Sequence, residues 1–141
     1  MIPRSALYLG LAGLIPFVGS ALAKLTGWPG PLVGYEDIIL RHYGIVILCF
    51  MSGVLWGFAT RAEGRQATVG YVLSVLPALW AFFTTLGPMH QTFSALMLGF
   101  AGLLLLDLRF WRWGLAPPWW MRLRLILSAG VLVSLTVGGY G

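Results

Sequence analysis

Charge is what this chain has least of. Only nine basic and four acidic residues stand among 141, so 9% of the chain is charged. Soluble domains carry about 25%. The shortage is concentrated: the 41 residues 66–106 contain no Asp, Glu, Lys or Arg. A soluble domain cannot hide such a run, because its outward faces must meet water, so a soluble domain is excluded. Cysteine is almost absent too. Cys49 is single, which rules out an intrachain disulfide and leaves the redox compartment unspecified. No stretch alternates with period two between turns, so strands are not expected. The chain lacks a glycine-rich phosphate loop, a cysteine cluster and a nucleophile–base–orienter set, and no enzymatic activity is expected. No ionisable residue lies near the middle of any apolar segment, which argues against a proton relay or an ion pathway through one chain.

What is present is apolar: 59% of residues are hydrophobic and the mean hydropathy is +0.87. A helix needs roughly 20 apolar residues to cross a hydrocarbon core of about 30 Å. Charge-free windows of this kind fall at 5–23, 42–60 and 66–106, with a shorter one at 125–141. The turn cluster Gly87-Pro88-Met89-His90-Gln91 divides the longest. The expected fold is all-α, a single transmembrane domain over 1–141 with five spans near 5–25, 38–60, 69–86, 92–107 and 123–139. Met-Ile-Pro-Arg, an apolar stretch and then Ala21-Leu22-Ala23 imitate a secretory signal. The expectation is nevertheless an uncleaved first helix.

Basic residues set the expected orientation. Arg4, Arg61, Arg65, Arg109, Arg112, Arg122 and Arg124 fall on one side, and Lys24 and Arg41 on the other. This predicts the N-terminus on the cytoplasmic or matrix side and the C-terminus outside. The same placement turns the +5 formal charge into membrane anchoring, so lipids rather than nucleic acid are the expected partners. Arg109, Trp111, Arg112, Trp113, Trp119, Trp120, Arg122 and Arg124 form the expected interface set, since indole rings settle at headgroup level and arginines reach phosphates. A generic anchor is preferred here over recognition of a particular anionic lipid. Asp107 is expected to neutralise the arginines around it. The second span opens with Glu36 and Asp37, as a helix dipole favours, and Asp37 is placed to pair with Arg41 four residues on.

Helices in lipid associate through small residues. Gly53 and Gly57 in the second span and Gly130, Ser134 and Gly138 in the fifth form such stripes, expected to pack helices within the chain. Pro16 and Pro77 are expected to kink the first and third spans, freeing the carbonyls of Ala12 and Leu73. Polar groups at mid-span are Ser52, Thr136 and Cys49. Glu36, Asp37, His42 and His90 share one side, but their spacing matches no ligand motif and no metal site is expected.

One set of residues is familiar as a pattern. Tyr43-Gly44-Ile45-Val46-Ile47-Leu48 with Phe50, then Gly53-Val54-Leu55-Trp56-Gly57, Ser74-Val75-Leu76-Pro77-Ala78-Leu79, Gly99-Phe100 leading to Asp107, Gly114-Leu115 with Pro117, Trp119 and Leu123-Arg124 follow in order. This resembles the transmembrane protein 69-like family (domain of unknown function 3429) from about residue 7 to 135. The resemblance implies a bacterial inner membrane or a mitochondrial inner membrane, and no particular activity. It also implies a histidine before the Trp-Gly pair, where this chain has Leu55, so no role for that histidine carries over.

The leading functional expectation is a small accessory or assembly subunit that packs against a larger membrane complex. The alternative is a binder of lipid, quinone or another hydrophobic ligand, with Trp56, Tyr71 and Trp80 as cleft-lining aromatics. No cofactor is expected beyond such a bound lipid or quinone. A small oligomeric transporter ranks third.

Overall fold

The computed structural model describes residues 2–27 and 34–140, without the side chains of residues 89, 90, 139 and 140. Among the described residues every regular element is a helix: α1 (Arg4–Ala12), α2 (Ile15–Thr26), α3 (Glu36–Ala59), α4 (Gly64–Thr84), α5 (Met89–Arg112) and α6 (Trp120–Tyr140). Among the described residues five segments are long and apolar enough to cross a membrane, the first being Arg4–Thr26 taken as a whole. Helices α2, α3, α4, α5 and α6 pack in sequence around a ring that α6 closes against α2, and α3 also reaches across to α5.

The first span is broken rather than kinked. Gly13 and Leu14 form a turn, and Pro16 becomes the second residue of α2, where its missing N–H leaves no ladder bond unmade. The Tyr43 hydroxyl, from α3, donates to the Gly13 carbonyl at 2.9 Å and satisfies the break from outside. Helix α2 ends on Gly27, whose left-handed φ of 75° lets its N–H bond the Ala23 carbonyl at 2.9 Å.

Pro77 behaves differently, because α4 continues through it. Here the Ser52 side chain of α3 enters the neighbouring helix. Its hydroxyl donates to the Ser74 carbonyl and accepts the Ala78 N–H at 3.3 Å. These are the two groups that an unbroken ladder would join, so a hydroxyl inserted from α3 relieves the disturbed turn.

Helix α3 buries Leu40, Gly44, Leu48, Met51, Ser52, Leu55 and Ala59, a single stripe at helical spacing. Phe17 of α2 meets it from one side and stacks edge-on with Tyr43 (5.0 Å between centroids) and with Phe100 of α5 (6.2 Å). The outer surface is the reverse of a soluble protein's: Leu9, Phe50, Phe83, Leu98, Leu105 and Val133 are each more than 60% exposed. Apolar surface on that scale around a bundle has hydrocarbon as its solvent.

Small residues divide into used and unused sets. A Cβ on Gly130 would lie 2.8 Å from a Leu14 methyl, one on Gly138 would meet Leu40, and Ser134 between them is buried. The α6 stripe is therefore consumed within the chain. So is Gly70, where a Cβ would stand 3.0 Å from that of Ala59, across the α3–α4 contact. Gly53 and Gly57 are not: both are exposed, with nothing within 4 Å of an added Cβ. The expectation that this pair packs helices inside the monomer is corrected, because α3 turns its bulkier stripe inward and leaves the glycines facing out.

Candidate functional site

The link between α5 and α6 brings charge into the bundle. Asp107, just over one turn before the end of α5, is fully buried, and α6 starts close enough for two of its side chains to reach it. Arg124 Nε donates to Asp107 Oδ2 at 2.8 Å, and Trp120 Nε1 donates to Oδ1 at 3.0 Å. Trp120 and Arg124 are four apart on α6 and share a face, so both meet one carboxylate. The link itself turns at Gly114, whose φ of 77° needs a residue without a Cβ. From the turn between α3 and α4, Arg61 Nη1 donates to the Leu115 carbonyl at 3.1 Å and fastens the link to the bundle.

Arg124 carries more than this pair uses. Its Nη2 is buried without a hydrogen-bond partner among the described residues, as is the Ser128 hydroxyl one turn further along the same face. Both residues line a cavity of about 510 Å³ whose other walls come from α1, α2, α3 and α5, among them Gly10, Phe17, Met51, Phe58 and Phe100. Trp119 and Trp120 stand at its α6 end, 6.0 Å apart, and Phe58 packs edge-on against Trp120 at 5.0 Å.

The expected interface set is therefore divided by the structure. Arg109, Trp111, Arg112 and Arg122 are exposed near the helix ends, and Trp113, Trp119 and Trp120 are half-buried. Several are occupied internally: Trp111 Nε1 donates to the Pro118 carbonyl at 3.2 Å, and the Arg109 guanidinium lies 4.9 Å from the Trp113 ring centre. Arg124 is 4% exposed and leaves the set, because a fully buried carboxylate draws it inward. Asp107 does neutralise an arginine, the one among four that the α6 face delivers. The remaining outer-side expectations shift as well. Asp37 pairs with Lys24 of α2 at 2.9 Å rather than with Arg41, whose Nη2 instead reaches the Thr85 carbonyl at 2.7 Å. A cross-helix cation closer than the next turn of its own helix took the carboxylate. His42 Nδ1 lies 2.9 Å from the Ile38 carbonyl of its own helix, and the His90 side chain lies outside the described residues.

The aromatic residues expected to share a cleft do not converge. Trp56 and Tyr71 pack on each other at 4.5 Å. Trp80 lines a separate apolar groove of about 730 Å³ between α4 and α5, and gives its N–H to the Ala95 carbonyl at 2.7 Å. Sequence reasoning missed Ser128 and, though it placed Ser52 at mid-span, did not see that Ser52 reaches α4. The one signal for Ser128 is the helical spacing of Trp120, Arg124 and Ser128 on α6.

Five apolar spans, a lipid-facing exterior and one buried ion pair at a helix–helix link define a small polytopic membrane protein. The chain belongs to the family described as a protein of unknown function (DUF3429), whose model matches residues 2–139. It is similar to Transmembrane protein 69 of Xenopus tropicalis, 36% identical over 138 residues, covering 94% of this chain and 53% of that protein. It is also similar to Transmembrane protein 69 of Mus musculus, 28% identical over 141 residues, covering 96% of this chain and 55% of the other. The chain thus spans about half the length of these curated relatives. No solved structure matches it.

Proposed function

We propose that the protein is a small accessory subunit that docks a transmembrane helix of a larger membrane complex against α3. The observation that carries this reading is the outward face formed by Val46, Cys49, Phe50, Gly53, Trp56 and Gly57, all exposed and all at helical spacing. Gly53 and Gly57 leave a flat strip on which a partner helix approaches closely, and Phe50 and Trp56 wall it. The comparable stripe on α6 is already filled by Leu14 and Leu40, whereas nothing among the described residues covers this strip. Orientation and location belong to the same proposal: the N-terminus and the Arg61–Arg65 connection face the cytoplasm or matrix, in a bacterial or mitochondrial inner membrane. With Arg124 buried, six basic residues against two still favour that orientation.

Extraction into lipid nanodiscs followed by mass spectrometry tests the docking. A stoichiometric membrane-protein partner that is lost on combining Gly53→Leu with Gly57→Leu supports it. A clean monomer in the unaltered protein overturns it. Cys49 lies on the same face and is the chain's single cysteine, so oxidative cross-linking to a disulfide dimer would identify a second copy as the occupant instead. A second reading, a binder of hydrophobic ligands, is favoured by the cavity beside Arg124.

A further inference from the structure

Two polar side chains line the 510 Å³ cavity between α1, α2, α3, α5 and α6 with hydrogen-bonding capacity left over. Arg124 is 4% exposed and Ser128 2% exposed, and neither the Arg124 Nη2 nor the Ser128 Oγ has a partner among the described residues. A buried donor without a partner costs about 1–3 kcal/mol relative to one that is satisfied, and two on one face of one helix point to an acceptor supplied from outside the chain. The rest of the wall is hydrocarbon and aromatic ring, including Phe17, Met51, Phe58 and Phe100. A ligand with a long apolar body and one acceptor oxygen matches that distribution.

The charge state of the site selects among acceptors. Arg124 is already neutralised through its Nε by Asp107, at 2.8 Å. A carboxylate or phosphate entering the cavity would place a second anion beside that pair and leave a net buried negative charge, which is strongly disfavoured. A carbonyl oxygen accepts from both donors without adding charge. We propose that this cavity binds a long-tailed molecule through a neutral carbonyl oxygen that accepts hydrogen bonds from Arg124 Nη2 and Ser128 Oγ. An acyl ester and a tailed quinone share that chemistry. Both donors stand in the first turns of α6 beside Trp119 and Trp120, so the head lies near the α6 end of the membrane-spanning region and the tail runs inward towards Phe17 and Phe100. This site shares Phe50 with the proposed docking strip but uses none of Cys49, Gly53 or Gly57, so the Gly53 and Gly57 substitutions leave its polar donors in place.

Binding to the purified full chain in nanodiscs, read as quenching or shift of tryptophan fluorescence, tests the proposal with three probes. These are methyl oleate, oleate, and a benzoquinone bearing a two-isoprenoid tail. Methyl oleate is expected to bind at least tenfold more tightly than oleate, and Ser128→Ala to weaken the carbonyl probe about five- to tenfold. Combining Asp107→Leu with Arg124→Met removes the Nη2 donor along with both charges and is expected to weaken both carbonyl probes at least as much as Ser128→Ala does, while the bundle stays folded. Binding of the ester but not the quinone assigns an acyl lipid, and the converse assigns a quinone; either supports the site. The proposal is overturned if oleate binds as tightly as its ester, if Ser128→Ala changes neither carbonyl probe, or if no probe binds.

Discussion

Replacing Asp107 by Leu removes one side chain and strands two others. Arg124, 4% exposed, keeps its charge with no other carboxylate beside it among the described residues, and Trp120 Nε1 loses its acceptor. Removing one partner of a buried pair destabilises by about 3–5 kcal/mol, because an uncompensated charge remains out of water. The lost indole bond lies within that figure rather than beside it, since all three groups form one network. Arg124→Met should cost a comparable amount, by leaving the carboxylate unpaired. Combining the two substitutions removes both charges, and the expected stability lies within about 1 kcal/mol of the unaltered protein, since apolar replacements of a buried pair are often neutral. Reversible unfolding in mixed micelles of increasing SDS fraction, followed by circular dichroism, measures all four corners of the cycle. The reasoning fails if Asp107→Leu alone lies within 1 kcal/mol of the unaltered protein. It fails equally if the double variant loses the sum of the two single losses.

Three further perturbations probe the packing. Ser52→Ala withdraws the hydroxyl that bridges Ser74 and Ala78 at the Pro77 turn, and should cost about 1–3 kcal/mol in the same assay, more than an exposed serine would. Gly70→Leu forces α4 away from Ala59, where even a Cβ stands at 3.0 Å, and should lower the midpoint of unfolding sharply; Gly102→Ala, with open space around it, should leave that midpoint unchanged. Lys24→Ala breaks the ion pair with Asp37, but both side chains are partly exposed, so the loss should stay below about 1 kcal/mol.

The spans were legible in the sequence because lipid demands long uncharged helices, and that demand is written residue by residue. Their ends were less so. Helix α4 starts at Gly64, five residues before the expected span, and α5 continues to Arg112, five residues beyond it. Arg65, Arg109 and Arg112 are exposed on these ends, where long side chains carry charge to the interface while the backbone remains helical, so counting charges cuts the helices short. The break at Gly13 and Leu14 looked like a kink because Pro16 suits both outcomes. What faces what was not legible. Gly53 and Gly57 read as an internal seam by spacing alone, yet α3 has a second stripe around Leu48, Ser52 and Leu55 that filled the inside better. Arg124 read as one of several interfacial arginines, and only the meeting of α5 with α6 selects it as the partner of Asp107.

The central claim is that hydrocarbon surrounds this bundle and that residues 66–106 cross it twice. Single cysteines at Glu63, Val72, Leu86 and Leu98, placed in a Cys49→Ser background, can be tested with a membrane-impermeant maleimide on sealed vesicles. Val72 and Leu98 are 57% and 64% exposed, so water around the bundle would leave both reactive. The expected result is no labelling at 72 and 98, labelling at 63 from one face and labelling at 86 from the other. Labelling at 72 or 98 in intact vesicles, or labelling of 63 and 86 from the same face, would contradict it.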